Sequence, residues 1–118
     1  MIVKLTQDLE RGFAPWKEMF FENESELNAL GAKLIFAGSE KDDDNKMIVL
    51  IDFDSPESMK AFAGHEGLKA KRAAAGALLE TTKVTVMSDE AFTSSSWEDV
   101  YNIKFTTKQI GLINGYLW

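Results

Sequence analysis

The amino-acid sequence predicts an α+β fold in which a four-stranded antiparallel sheet carries two helices on one face. Three observations lead to this prediction. Segments with strand and helix periodicity alternate in the order strand, helix, strand, strand, helix, strand. Only Gly38–Lys46 separates the two middle strands, which is too short for a parallel crossover. The 118 residues are 45% hydrophobic and 27% charged, as expected for one globular domain.

The first strand and the first helix occupy the N-terminal quarter of the chain. Ile2–Gln7 is rich in β-branched residues and alternates apolar and polar side chains, which predicts a strand. Pro15 suits the first turn of a helix, where its missing N–H is not needed. An apolar stripe follows at helical spacing: Trp16, Met19, Phe20, Leu27 and Leu30. Because the polar run Glu22–Glu26 interrupts this stripe, we expect a helix that is broken or bent near Asn23 and ends at Gly31.

The two middle strands are predicted to form a hairpin. Lys33–Ala37 and Met47–Phe53 are the clearest strand segments, and Gly38–Lys46 is the predicted loop between them. The acidic run Asp42–Asn45 in this loop has the oxygen ligands of a calcium loop. The glycine and the glutamate that such a loop requires are replaced by Met47 and Phe53, so we expect a solvated hairpin tip and no metal site.

The second helix and the last strand complete the pattern. Ser55 is a suitable N-cap, and Pro56 follows at the first helical position. Met59, Phe62 and Ala63 form the inner stripe, Gly64–Gly67 interrupts the helix, and Leu68–Ala75 continues it until Gly76. Thr81–Met87 alternates as a strand. Right-handed crossovers place both helices on the same face of the sheet.

The other face of the sheet is predicted to be apolar and to need a cover. The run Met47–Ile51 supplies bulky apolar residues to both faces of its strand. A second copy of the chain is the simplest cover, so we expect a homodimer.

Several motifs resemble those of a family of small uncharacterised ferredoxin-like proteins in the dimeric α/β-barrel superfamily. The matching motifs are Gly12-Phe13, Trp16-Lys17, Met19-Phe20, Leu34–Gly38, Phe53–Glu57 and Ala74–Gly76. The superfamily also includes antibiotic-biosynthesis-type monooxygenases and haem-degrading enzymes. The resemblance covers about residues 1–90 and implies a ferredoxin-like βαββαβ fold, a dimer with face-to-face sheets, and a cleft between sheet and helices in each subunit.

The resemblance divides the chain into a domain, residues 1–92, and a C-terminal extension, residues 93–118. The extension begins with the small polar run Thr93–Ser96 and is rich in aromatic residues. Its strand-like alternation over Val100–Phe105 and the turn signal Asn114-Gly115 lead us to expect that it packs on its own subunit or on the partner.

Composition argues against several classes of function and partner. The net charge of −6 repels phosphate backbones and anionic lipid heads, so neither nucleic acid nor a membrane is an expected partner. The absence of cysteine removes disulfides, thiolate nucleophiles and iron–sulfur clusters. Neither a signal peptide nor an apolar run of transmembrane length is visible, so we expect a cytoplasmic protein. No cofactor is expected.

His65 is the candidate general base, because it is the only histidine in the chain. Its neighbours Gly64 and Gly67 favour a different interpretation, an exposed kink between two half-helices. The haem-degrading relatives combine a histidine on the second helix with an asparagine on the first strand. The first strand of this chain has Thr6 and Gln7 instead, so that role is not transferred.

Two further groups of residues are candidates for binding. The aromatic residues Phe13, Trp16, Phe20, Phe36 and Phe53 could line an apolar cleft for a planar ligand, although helical stripes that face a sheet usually form core. Lys69, Lys71 and Arg72 form the one basic cluster. We expect it to be a solvated helix face with a weak preference for anions.

These observations favour a non-catalytic homodimeric module that binds a small apolar ligand or a protein. The alternative is a cofactor-independent monooxygenase-like enzyme of the dimeric α/β-barrel superfamily, and a purely structural or interaction protein is the third hypothesis. The catalytic residues of the alternative are not identifiable beyond His65.

Overall fold

A computed structural model describes residues 1–93, and these residues form the predicted α+β fold. In chain order the elements are β1 (Ile2–Asp8), α1 (Phe13–Ala29), β2 (Ala32–Glu40), β3 (Asp43–Phe53), α2 (Pro56–Ala63), α3 (Glu66–Ala74), a short 3-10 helix (Leu79–Thr81) and β4 (Lys83–Val86). The strands lie in the order β2-β3-β1-β4, and every neighbouring pair is antiparallel. This is the ferredoxin-like arrangement. Apart from Thr93, the C-terminal extension lies outside the described residues, so its packing stays a prediction.

Helix α1 is continuous from Phe13 to Ala29, so the helix is not broken near Asn23. Trp16, Phe20 and Leu27 are buried along one face. Asn23 occupies a position on that stripe, and its side-chain amide donates a hydrogen bond to the Met19 carbonyl at 2.8 Å. The interruption in the sequence is therefore a polar side chain on a regular backbone. The predicted end is confirmed, since Gly31 follows the helix with φ at +85°.

The hairpin between β2 and β3 is longer than predicted. The strands pair as far as Glu40 and Asp43, so Gly38–Lys46 is mostly strand and only Lys41 and Asp42 form the turn. Register shifts between Leu34 and Phe36 and between Ser39 and Glu40 break the period-two alternation that marks a strand in the sequence. The polar residues near the turn also extend the ladder through backbone hydrogen bonds, which do not depend on side-chain polarity.

The acidic start of β3 is exposed, as predicted for a solvated hairpin tip, and it also caps the N-terminus of α1. The Gly12 N–H donates to the Asn45 side-chain oxygen at 2.8 Å, and the Phe13 N–H donates to Asp44 Oδ2 at 3.1 Å. The Ser39 hydroxyl donates to Asp44 Oδ1 at 2.7 Å. The hydrogen bonds from Ser39 and from the Phe13 N–H together hold the pKa of Asp44 below its ordinary value. Gly12 has a φ of +79°, and a Cβ there would overlap the Asp44 carboxylate. Within residues 1–93 no cluster of three side chains could hold a metal ion.

The second helical segment is divided as predicted, but only Gly64 and His65 separate the two helices, and Gly67 already belongs to α3. The Ser55 hydroxyl accepts a hydrogen bond from the Ser58 N–H at 3.1 Å and caps α2, with Pro56 at its first position. Helix α3 begins after His65, and Gly76 follows it with φ at +99°. Among the described residues no helix is long and apolar enough to cross a membrane.

The helices cover one face of the sheet, as predicted, and leave the other uncovered. Met47, Val49 and Ile51 point into a core shared with the helices, whereas Ile48 and Leu50 point to the opposite face. The rest of the core consists of Val3, Leu5, Leu9, Trp16, Phe20, Leu27, Ala32, Phe53, Phe62, Leu68 and Ala77. We call the opposite face the open face, because no helix of residues 1–93 covers it.

Candidate functional site

The predicted aromatic site does not form as one group. Phe13, Trp16 and Phe20 stack along α1, with ring centroids 5.8 and 5.6 Å apart. Trp16 is only 6% exposed. Phe36 pairs with Leu50 on the open face and is 54% exposed, so the structure separates it from the other four residues. Phe53 is buried at the end of β3, where its ring lies 5.6 Å from that of Phe62.

Trp16 borders a narrow cavity between α1, α3 and the sheet. The cavity has a volume of about 40 Å³ and is lined mainly by apolar side chains, with Gln7, Asn23 and Arg72 as the polar ones. This volume accommodates a water molecule but not a planar organic ligand. The Trp16 indole N–H is buried there and has no hydrogen-bond partner among residues 1–93. The stack is therefore core with a small polar-edged cavity.

A larger groove lies between the sheet and the helices α2 and α3, beside the edge strand β4. Its volume is about 360 Å³. Its apolar lining consists of Val3, Leu5, Phe53, Met59, Phe62, Ala63, Leu79 and Val84. Val84 pairs with Leu5 and so faces the helices, yet it is 54% exposed because the helices do not extend over β4. We call this feature the β4 groove.

Lys69, Arg72 and Thr82 are the polar residues in the lining of the β4 groove. Lys69 contacts the carboxylate of Glu66 at 3.5 Å on the solvent side of α3. The Thr82 hydroxyl accepts a hydrogen bond from the amide of Gln7, a buried residue of β1. Both groups therefore have protein partners.

Arg72 differs from Lys69 and Thr82, because its side chain lines both the narrow cavity and the β4 groove. The guanidinium carbon lies 5.3 Å from the centre of the Phe62 ring, in a cation–π contact. The Nε–H is buried and has no hydrogen-bond partner among residues 1–93. Burial lowers the pKa of the Arg72 guanidinium, which still remains a cation at neutral pH.

The predicted basic cluster is therefore divided between two sides of α3. Residues three apart on a helix share a face, which places Lys69 and Arg72 together. Lys71 faces α1, where its ammonium group donates to Asn23 Oδ1 at 2.8 Å and contacts Glu26 Oε2 at 3.3 Å. The prediction of a solvated position for all three residues is wrong for Arg72, which is partly buried.

His65 lies at the predicted kink between α2 and α3, where it acts as the N-cap of α3. The Leu68 N–H donates to His65 Nδ1 at 3.0 Å, so this nitrogen carries a lone pair and not a proton. In the neutral ring the proton is then on Nε2, which lies 3.2 Å from Glu26 Oε1. Both nitrogens are engaged, and the side chain is 31% exposed. This geometry leaves the neutral imidazole no free lone pair with which to accept a substrate proton.

The resemblance implies a cleft between sheet and helices, but of the residues that line the β4 groove the sequence analysis identifies only Phe53 and the basic residues Lys69 and Arg72 as candidates. Phe62 and Met59 were assigned to a core stripe, and Val84 to an ordinary strand. The signal available in the sequence was the spacing of Lys69 and Arg72, which separates them from Lys71 on a helical projection. The uncovered side of β4 depends on where α2 and α3 cross the sheet, and no local pattern encodes that position.

No protein-family model and no curated protein matches the chain. Solved structures do match. An uncharacterised NIPSNAP domain protein from Burkholderia xenovorans is 12% identical over 79% of this chain and 100% of its own, with a TM-score of 0.46. A protein from Deinococcus radiodurans assigned as an antibiotic biosynthesis monooxygenase is 14% identical over 81% of this chain and 100% of its own, also with a TM-score of 0.46.

A third structure, of a protein from Agrobacterium tumefaciens, is 12% identical over 77% of this chain and 97% of its own, with a TM-score of 0.46. The strand order β2-β3-β1-β4 establishes the fold independently of them. At these identities and TM-scores the matches carry no information about function.

Proposed function

We propose that this chain is a non-catalytic homodimeric module that binds a small apolar ligand in the β4 groove. The observation that carries the proposal is the groove itself, whose volume of about 360 Å³ is lined by eight apolar and three polar side chains. Small-molecule sites in proteins are concave and mostly apolar, have a few polar groups, and measure roughly 300–1,000 Å³. The β4 groove has all three properties.

Binding is favoured over catalysis by the chemistry of the lining. The polar side chains of the groove are an amine, a guanidinium and a hydroxyl that already accepts a hydrogen bond from Gln7. They do not form a nucleophile paired with a base. His65 is not among the residues that line the groove, and both of its nitrogens are engaged. The monooxygenase alternative requires a proton acceptor at the ligand, so turnover of a bound ligand would favour that alternative.

The homodimer is supported by the apolar part of the open face. Phe36 and Leu50 are paired on this face, and Ile48 lies beside them and is 38% exposed. The β1 and β4 side of the same face is more polar, with Lys4, Thr6, Lys83 and Thr85. A stable interface buries roughly 800 Å² per partner, so the second copy has to cover most of the sheet with its apolar contacts centred on β2 and β3.

The ligand site is tested with 2-naphthol, a neutral apolar probe, by isothermal titration calorimetry on the full chain. Ala63→Phe places a ring at the groove wall, whereas Ala61→Phe adds the same ring to another exposed position of α2. Saturable binding that Ala63→Phe reduces at least tenfold, and that Ala61→Phe leaves within twofold, is the expected result. Absence of saturable binding, or an equal response to the two variants, would contradict a site in this groove.

A further inference from the structure

The guanidinium of Arg72 in the β4 groove has no anionic partner among residues 1–93. The ion pairs formed by residues 1–93 involve other basic groups, among them Lys46, Lys69 and Lys71, and do not include Arg72. The buried Nε–H of Arg72 also has no acceptor among residues 1–93. Burying a charged donor without an acceptor is unfavourable, because the group loses its hydration and gains no replacement.

An aromatic ring does not replace that acceptor. Phe62 lies against the guanidinium and offers a cation–π contact, but it has no lone pair to accept the N–H donors of the arginine. A carboxylate complements guanidinium best, since its two oxygens accept two parallel hydrogen bonds. The one carboxylate of α3, that of Glu66, contacts Lys69 and is exposed to solvent.

Building on the proposed function, we infer that the ligand of the β4 groove is an apolar molecule with a single carboxylate, and that Arg72 binds the carboxylate. The apolar walls contributed by Val3, Phe53, Met59 and Val84 take the hydrocarbon body. The guanidinium lies in the same lining and takes the charge. Both ends of an amphipathic monoanion are thereby matched within one groove.

The overall charge of the protein makes this preference specific to the groove. A net charge of −6 repels anions at long range, so the protein has no general affinity for carboxylates. At physiological salt this field is screened beyond about 8 Å, whereas a direct contact with a partly buried guanidinium is screened much less. A small anion such as acetate has no apolar body that the walls of the groove could contact.

The experiment compares 2-naphthoate with 2-naphthol, which share a ring system and differ in charge at neutral pH. Dissociation constants are measured by calorimetry on the full chain, with acetate as a third probe. Because hydrogen bonds to charged groups contribute about 1.5–3 kcal/mol, the naphthoate should bind roughly 10- to 100-fold more tightly than the naphthol. Acetate should show no saturable binding.

Two variants assign the preference to Arg72. Arg72→Gln should weaken naphthoate binding by about 10- to 100-fold and naphthol binding by clearly less, so that the preference for naphthoate is lost. Lys71→Gln removes the same charge one residue away, on the α1 side of the helix, and should leave both probes within twofold. If Arg72→Gln does not fold by circular dichroism, Arg72→Lys keeps the charge but loses the forked geometry, and it should weaken naphthoate binding by about tenfold.

The outcomes separate this inference from the proposal on which it rests. If naphthol and naphthoate bind with equal affinity, the groove is an apolar site and the carboxylate inference is wrong. If Lys71→Gln weakens naphthoate as much as Arg72→Gln does, net charge and not Arg72 is responsible, which also overturns the inference. If neither probe binds, the proposed function fails together with the inference.

Discussion

Replacement of His65 distinguishes a structural role from a catalytic one, and its effect follows from two contacts. His65→Ala removes the N-cap bond to the Leu68 N–H, of length 3.0 Å, and the 3.2 Å contact with Glu26. Loss of an N-cap costs about 1 kcal/mol, within a range of roughly 0.5–2 kcal/mol. The partly exposed contact with Glu26 adds at most about 0.5 kcal/mol. We therefore expect His65→Ala to lower the free energy of unfolding by about 1–1.5 kcal/mol.

His65→Asn is the matched control, since asparagine is a good N-cap and cannot act as an imidazole base. Urea unfolding at one protein concentration, followed by circular dichroism, should place His65→Asn within about 0.5 kcal/mol of the parent chain and His65→Ala clearly below it. For a domain of this size the loss in His65→Ala corresponds to roughly 5–10 °C in Tm. Equal stability losses in the two variants would refute the cap argument, and so would no loss in either.

Three further predictions concern the helix cap, the open face and the extension. Because hydrogen bonds hold the pKa of Asp44 below its ordinary value of 3.8, the bonded carboxylate stabilises the fold above that pH, and the contribution is lost as the pH falls below it. The difference in urea midpoint between the parent chain and Asp44→Asn should therefore shrink in acid, and a constant difference would contradict this. Light scattering should give twice the chain mass of 13.2 kDa, and Ile48→Lys should lower that mass. Val86→Lys, at an exposed position on the other face of the sheet, is the control and should leave the dimer intact. Truncation after Ser94 should lower the Tm, since the extension is predicted to pack on the domain, and an unchanged Tm would argue against that packing.

The fold was predictable because its signals are local. The N-cap Ser55 with Pro56, and the left-handed stops at Gly31 and Gly76, each depend on a few neighbouring residues, and each is confirmed. The strand order then follows from the short hairpin and the handedness of the crossovers.

The errors arose where a distant residue determines the role of a local one. The run Asp42–Asn45 suggests a loop in the sequence, but its side chains cap a helix that begins about thirty residues earlier in the chain. Asn23 suggests a break, but its polar groups are satisfied by Met19 and Lys71. Phe36 is aromatic like the other candidate residues of the apolar cleft, but its register with Leu50 places it on the open face.

The candidate site was only partly predictable for the same reason. Its charges belong to a cluster that is visible in the sequence, but the separation of Arg72 from Lys71 depends on which face of α3 meets the sheet. The space beside Val84 is the uncovered part of an edge strand, and it arises from packing over several elements. Periodicity identifies which residues are apolar, whereas the position of a groove depends on the gaps that packing leaves between helices.

Methyl NMR tests most directly whether a ligand occupies the β4 groove. In a titration of the full, methyl-labelled chain with 2-naphthoate, the signals of Val3, Met59 and Val84, which line the groove, should shift and saturate together. Those of Ile48 and Leu50, on the open face, should stay in place. Shifts confined to the open face, or no saturable shift in the groove methyls, would contradict a ligand site in the β4 groove.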